Sequence, residues 1–267
     1  METTKGRVVM KPSPRFYLLI VLLLPVALGA CGPTPWQRDM AESHLKLGIA
    51  QIQAEQYNSA LKELMKANEL TPDNARLHYF LGIAYHSKGL RKQTVEEFEK
   101  AVALKADYSE AYNFLGTICL SAGQWDRAIT LFEKALTNIL YDTPGVALYN
   151  MGQAYHQKGD YRTALLKYQE AKVREPDTIL MPLIEKNMAQ SAYELGEYAE
   201  AVAHLKRAIE LTPELAEAHY WLGRAYVKMG RRDQAVPAFQ EAVKCSPASE
   251  AGIKSREHLD ALQADRR

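Results

Sequence analysis

The strongest constraint on the fold of this chain is a pattern of small and large apolar residues that recurs about every 34 positions from Ala41 onward. In the first unit Leu47 and Gly48 stand at the seventh and eighth places, Ala60 at the twentieth and Leu64 at the twenty-fourth. The pattern returns in five further units, which open at residues 75, 109, 145, 182 and 216. Because each such unit buries its apolar side chains against its neighbours alone, the units must stack in a row.

Glycine and proline divide each unit into two helices. A glycine stands at the fifteenth place of units two to six, and proline follows several units, where it stops the second helix. Together with the Leu-Gly, Tyr, Ala and Phe places, this punctuation resembles the tetratricopeptide repeat. The resemblance implies an all-α fold, namely a right-handed α-solenoid of six tetratricopeptide repeats with a C-terminal capping helix.

The predicted units occupy residues 41–74, 75–108, 109–144, 145–181, 182–215 and 216–247. Two extra residues separate the third unit from the fourth, and the fifth has Ala189 where glycine is usual. Residues 248–267 are predicted to form a capping helix and tail, because Ile253, Leu259 and Leu262 lie on one helical face. The expected core includes a cysteine and the aromatic residues at the twenty-fourth place: Cys119, Phe98, Phe132, Tyr168 and Phe239.

The first thirty residues are predicted to be a signal peptide. Four basic side chains within residues 1–15 precede fifteen uncharged residues, the order typical of a secretory signal. This apolar run is shorter than the roughly 20 residues that span a bilayer as a helix. It ends in Leu28-Gly29-Ala30-Cys31, which resembles the lipobox of bacterial lipoproteins. The alternative is a plain signal peptide or signal anchor with an incidental cysteine.

The lipobox implies that Cys31 carries a covalent lipid and that residues 31–40 are a lipidated tether. Acyl chains contribute about 0.8 kcal/mol per buried methylene, so several chains hold a protein firmly on a membrane. Gly32 is not the aspartate that retains lipoproteins in the inner membrane. The resemblance therefore predicts a lipid-anchored protein on the outer membrane that faces the periplasm.

Composition and motifs argue against catalysis and against nucleic acid. The chain has 33 basic and 32 acidic residues, so its net charge is too small to attract a polyanion. We find no catalytic triad, phosphate-binding loop or paired carboxylates apart from the repeat pattern, and therefore expect no enzyme, cofactor or small-molecule substrate. His44, His78 and His219 share the fourth place of their units, which favours a solenoid surface over the alternative of a metal site.

The first helix of each unit is expected to line a concave face through its second, fifth, ninth, twelfth and thirteenth residues. In units one and two these places predict an apolar groove for a partner protein: Leu45, Ile49, Ile52, Tyr79, Ile83 and His86. The alternative is that neighbouring helices or the N-terminal segment cover this strip. Later units predict a second, aromatic and basic patch: Tyr149, His156, Tyr193, Tyr220 and Arg224.

The irregular junction between units three and four carries a narrower resemblance. It reads FEKALTNILYDTPGVALYNMGQAY, with Leu140, Tyr141, Thr143 and Pro144 matching an LY-x-TP insertion. This insertion, six repeats and a lipobox resemble the PilF/PilW lipoproteins, the pilotins of the type IV pilus secretin. The resemblance implies a scaffold that binds secretin subunits and promotes their outer-membrane targeting and assembly. The alternative is a general periplasmic adaptor that docks cell-wall hydrolases or other envelope complexes.

Overall fold

Thirteen α-helices and no strand make up residues 32–264, which are the residues that this computed structural model describes. The predicted signal peptide, Cys31 and the last three residues lie outside this part of the chain. In chain order the helices are α1 (Pro35–Gln53), α2 (Tyr57–Leu70), α3 (Ala75–Ser87), α4 (Arg91–Leu104), α5 (Ser109–Ser121), α6 (Trp125–Leu136), α7 (Pro144–Gln157), α8 (Tyr161–Arg174), α9 (Met181–Glu194), α10 (Tyr198–Leu211), α11 (Ala216–Lys228), α12 (Arg232–Cys245) and α13 (Glu250–Ala264).

The helices pack as six consecutive pairs followed by one single helix. Within each pair the two helices lie against each other, and the first helix of each unit also packs on the second helix of the preceding unit. The final helix, α13, packs on α12 and α11 and so closes the last pair. This arrangement confirms the predicted all-α solenoid of six tetratricopeptide repeats with a capping helix.

Each pair is held together where the eighth place meets the twenty-fourth. In four units a Cβ atom built on the eighth-place glycine would lie within 3.0 Å of the aromatic ring sixteen residues later. These rings, on Phe98, Phe132, Tyr168 and Phe239, are fully buried as predicted. In the fifth unit the eighth place holds Ala189 and the twenty-fourth holds Leu205, and both belong to one buried cluster. Because leucine is smaller than an aromatic ring, it leaves room for the methyl group of Ala189.

The repeated histidines belong to ion pairs between the two helices of a unit. Nδ1 of His44 lies 2.6 Å from Glu63, and Nδ1 of His78 lies 2.6 Å from Glu97. The fifth unit carries the same pair in reverse, with Glu185 at the fourth place and His204 nineteen residues later, again at 2.6 Å. Because only 4% of His78 is exposed, its predicted place on the solenoid surface is wrong. The ion pair with the acidic residue at the twenty-third place stabilises His78 in this buried position.

Burial and hydrogen bonding oppose each other at the His78–Glu97 pair. Burial by itself lowers the pKa of His78, but the bonds to Glu97 and to the Pro72 carbonyl outweigh it and raise the pKa overall. Burial by itself raises the pKa of Glu97, yet His78 and Lys100 together lower it. Both partners are therefore held in their charged forms. Within residues 32–264, no three His, Cys, Asp or Glu side chains are grouped to hold a metal ion.

The first helix begins earlier than the sequence predicts. Helix α1 starts at Pro35, so six of the ten residues assigned to a tether belong to the folded domain. Thr34 caps the helix, because its side chain accepts a hydrogen bond from the Gln37 amide while Gln37 accepts one from the Thr34 amide. Arg38 Nε also donates to the Pro33 carbonyl at 3.0 Å. The folded domain therefore begins almost at Gly32.

Candidate functional site

A groove lines the inner side of the C-terminal half of the solenoid, where the first helices of successive units lie side by side. It consists of two adjoining cavities of about 680 and 310 Å³ that share Gln190 and Trp221. We call this the C-terminal groove. Its larger cavity is bounded by residues of α5, α7 and α9, and its smaller one by α11 and the start of α13. A smaller cavity of about 200 Å³ adjoins it at Ser121.

The far end of the C-terminal groove is an aromatic site around one cation. The guanidinium carbon of Arg224 lies 4.2 Å from the ring centre of Trp221, 4.6 Å from that of Tyr193 and 5.7 Å from that of Tyr220. Arg224 Nη2 also donates to the Tyr193 hydroxyl at 3.3 Å. The neighbouring Lys254 pairs with Glu250 at 2.5 Å. This end of the groove therefore suits an aromatic or acidic side chain.

The middle of the groove is formed by amide and hydroxyl groups. The hydroxyl of Tyr149 accepts hydrogen bonds from Asn187 Nδ2 at 3.1 Å and from Gln153 Nε2 at 2.9 Å. Nδ1 of His156 lies 2.9 Å from the Ser191 hydroxyl, and burial lowers the pKa of His156, which keeps its ring neutral near pH 7. Such fixed donors and acceptors suit the backbone of an extended peptide.

The C-terminal groove contains three of the five residues of the predicted second patch, and the other two are buried. His156, Tyr220 and Arg224 are half-buried and reach the groove, as expected. Tyr149 and Tyr193 are only 8% and 7% exposed, so their assignment to the surface is wrong. Helices α9 and α11 cover these two tyrosines. Beneath the groove, the Tyr149 hydroxyl accepts a hydrogen bond from Asn187, and the Tyr193 hydroxyl accepts one from Arg224.

The predicted N-terminal groove is mostly filled. Leu45 is 1% exposed and packs in the core of the first two units, so its assignment to a partner site is wrong. Ile49 and Ile52 are half-buried against the same core. The fifth place of unit one carries a buried leucine, whereas in later units it carries tyrosine, asparagine or lysine, of which only Tyr149 is buried. The helix period alone does not distinguish these cases.

The second unit's share of that groove is covered by the third unit. Tyr79 lies with its ring 6.0 Å from that of Phe114 of α5, and burial raises the pKa of Tyr79 to about 12. Ile83 is half-buried in the same cluster as Tyr79, whereas His86 is exposed. The alternative interpretation, in which neighbouring helices cover this strip, is therefore correct for Tyr79 and Ile83.

The junction between units three and four exposes an apolar surface that the repeat pattern does not reveal. Ile139 and Leu140 are 95% and 80% exposed, and Val173 of α8 is 71% exposed. Ile139 and Val173 border a cavity of about 410 Å³, whose wall includes Tyr141, itself only 7% exposed. Two adjacent apolar residues in a loop were the sequence signal for this surface.

No helix between residues 32 and 264 has both the length and the hydropathy needed to cross a membrane.

Family models identify the repeats directly. Models described as TPR repeat match residues 48–89 and 189–230, and models described as tetratricopeptide repeat match residues 75–108, 107–172 and 216–249. The chain is 30% identical over 105 residues to the photosystem I assembly protein Ycf3 of Synechococcus elongatus, which covers 37% of this chain and 61% of that protein. The relatives identified by sequence are covered by this chain over 10% to 61% of their length.

Two solved structures share nearly the whole fold. The structure of PilF from Pseudomonas aeruginosa has a TM-score of 0.72 and 19% identity, and covers 83% of this chain and 99% of PilF. The structure of PilW, a widely conserved type IV pilus biogenesis factor, has a TM-score of 0.71 and 19% identity, and covers 80% of this chain and 97% of PilW. The chain therefore belongs to the tetratricopeptide repeat proteins, and its fold is similar to those of PilF and PilW.

Proposed function

We propose that this protein is an outer-membrane lipoprotein that binds a segment of a secretin subunit and promotes secretin assembly for type IV pilus biogenesis. The observation that carries the binding role is the open C-terminal groove, which places hydrogen-bonding amides beside aromatic rings. The likeness to PilF and PilW over nearly their whole length supports the choice of a pilus partner.

The groove suits a peptide better than a small molecule. Its two cavities run end to end across several units and are open to solvent, whereas small-ligand sites enclose most of their ligand. Gln153 and Gln190 offer donors and acceptors to a peptide backbone, and Trp221 offers an apolar surface to a side chain. Aromatic anchors of this kind supply much of the free energy of binding in protein interfaces.

The short link to Cys31 supports a role at the membrane surface. Since α1 is capped at Thr34, the residues between Cys31 and the helix span at most about 10 Å when extended. A lipid on Cys31 would therefore hold the first repeat directly against the bilayer. Radiolabelled palmitate is expected to label the full chain and not its Cys31→Ser variant. Equal labelling of both would overturn the lipid anchor.

Blocking the groove with a large side chain tests the binding role. Ser121 is exposed and lines the larger cavity, and its hydroxyl bonds only to the Ile118 carbonyl of its own helix. Thr130 is a matched control, because it is also exposed and bonds only to the Asp126 carbonyl of its helix, outside the groove. Ser121→Arg is expected to reduce binding, whereas Thr130→Arg is not.

The assay is co-purification of the full lipidated chain with secretin from detergent-solubilised membranes, together with the yield of secretin multimers. Loss of both in Ser121→Arg, at unchanged helicity, supports the proposal. A secretin that fails to co-purify with the unmodified chain overturns the pilus role. Co-purification of cell-wall hydrolases in its place would identify the general periplasmic adaptor instead.

A further inference from the structure

The outer face of α1 is open, although the same face is buried in every other unit. The seventh residue of a unit packs beneath the preceding pair in units two to six, where its exposure is between 2% and 9%. These residues are Leu81, Leu115, Met151, Met188 and Leu222. The equivalent Leu47 is 47% exposed, because no helix pair precedes α1 in the part of the chain that the structure describes. The third residue shows the same contrast, with Ser43 exposed and its five counterparts 0% exposed.

This open face is a continuous stripe along the helix. Trp36, Met40 and Leu47 are 66%, 37% and 47% exposed. Ser43, Ala50 and Ala54 are also exposed and complete the stripe. Their spacing alternates between four and three residues, which keeps one side of a helix turned toward a neighbouring helix. The face therefore has the pattern of a helix-packing surface without a partner helix among residues 32–264.

The opposite end of the solenoid does not offer the missing partner. Helix α13 already covers the last pair, with Ala251 and Ser255 buried at 5% and 0% exposure. Its outer side carries charged residues, among them Lys254 and Glu257, which are exposed. A second copy therefore has no free pair onto which α1 packs head to tail. A symmetric contact between two copies of α1 remains.

We propose that α1 packs antiparallel against α1 of a second copy about a two-fold axis. The stripe is self-complementary in this direction, because reversing it about its middle places each bulky residue opposite a small one. Trp36 then faces Ala54 of the second copy, Met40 faces Ala50, and Leu47 faces Ser43. A parallel pairing would instead place Trp36 against Trp36 and Ala50 against Ala50, which packs poorly.

A single helix pair buries less than the roughly 1,200 Å² of a stable standard interface. The association is therefore weak between free copies. It becomes favourable when two copies share a membrane, since confinement raises their effective concentration. This step rests on the proposed lipid anchor at Cys31, whose short link keeps α1 of each copy at the same height above the bilayer.

Disulfide cross-linking of the full chain in membranes tests the pairing. In a Cys245→Ser background, Met40→Cys together with Ala50→Cys is expected to give a covalent dimer on oxidation. Met40→Cys alone is expected to stay monomeric, because the two-fold axis keeps the two copies of residue 40 about 15 Å apart. The control for random collision is Met65→Cys, since Met65 is 53% exposed on the neighbouring helix α2.

A several-fold excess of dimer over the Met65→Cys control supports the antiparallel pair. Dimer yields equal to that control, or equal cross-linking by Met40→Cys alone, would overturn it. Adding Leu47→Glu to the double-cysteine variant is expected to abolish the dimer without loss of helicity, because Leu47 lies outside the core. Secretin co-purification is expected to survive Leu47→Glu, so a failure of the dimer is distinguishable from a failure of the proposed function.

Discussion

The contact between Gly116 and Phe132 tests the packing rule that joins the two helices of each unit. A Cβ atom on Gly116 would lie 2.7 Å from Cδ1 and 2.9 Å from Cζ of the Phe132 ring, whereas real Cβ atoms essentially never lie within 3.0 Å of such a neighbour. Phe132 is 0% exposed, so the ring has no free space into which to move. The substitution Gly116→Ala therefore forces the two helices apart.

Two opposing effects set the size of the change. Overpacking of a core costs about 1–3 kcal/mol, and replacing glycine by alanine inside a helix contributes about 1 kcal/mol of stability. The net loss expected for Gly116→Ala is therefore about 1 kcal/mol, or about 2–4 °C in melting temperature for a chain of this size. In a Phe132→Leu background the added methyl group meets the end of a flexible side chain, as at Gly48, where a Cβ would lie 2.7 Å from Leu64 Cδ2. Because a leucine can turn aside where the buried ring cannot, the same substitution is expected to stabilise by up to about 1 kcal/mol.

Unit five supports this reversal of sign, because it already pairs Ala189 with Leu205 in place of glycine with a ring. The assay is a double-mutant cycle by chemical denaturation, with amide hydrogen exchange in α5 and α6 to detect local opening, since stacked repeats need not unfold together. If Gly116→Ala is neutral or stabilising in both backgrounds, the close approach does not decide which residue stands at the eighth place.

Three further predictions concern stability. Glu55 has φ +58° where the other five units have glycine, so Glu55→Gly is expected to raise the free energy of unfolding by about 1 kcal/mol in chemical denaturation, and a loss would contradict this. The His78 contribution is complete below about pH 6.5 and is lost as the pH rises through its raised pKa, while that of Glu97 is lost as the pH falls below about 4.5. The melting temperature difference between the unmodified chain and His78→Gln is therefore expected to be largest between these values, and a difference independent of pH would refute the ion pair. Ile83→Glu is expected to cost about 2 kcal/mol or more, because Ile83 packs in the core of units two and three; unchanged thermal unfolding would instead show an open surface.

The sequence predicts the core of the solenoid well because the core is what the units share. A small residue at the eighth place and a large one at the twenty-fourth must recur wherever two helices pack in the same way. Phe98 and Phe239 were therefore identified from spacing alone and are both 0% exposed. The histidine pairs were missed because the partners lie nineteen residues apart, and because unit five reverses their order.

The binding surface is harder to predict because it depends on how far each unit covers the next. Leu45 and Tyr193 occupy places that face the partner in a generic repeat, yet neighbouring helices bury both. Trp221 stands at a sixth place, outside the set expected to line the inner face, but it borders both cavities of the C-terminal groove. Trp221 reaches both cavities because its side chain is large and because Arg224 packs over its ring. The position of a residue within the repeat does not reveal either feature.

The two ends of the solenoid differ in a way that connects anchoring with binding. At the C-terminal end α13 covers the last pair, and its residues Glu250, Ala251 and Lys254 line the margin of the groove, so the cap both closes the stack and forms part of the site. At the N-terminal end the stack remains open on α1, beside the short link to Cys31. A partner bound in the groove therefore lies several repeats from Cys31, the site of the proposed lipid anchor, which leaves α1 free for a contact with a second copy. Under the proposed function, binding of one secretin segment per copy and pairing of copies through α1 are compatible, so the proposed dimer would hold two secretin subunits at once.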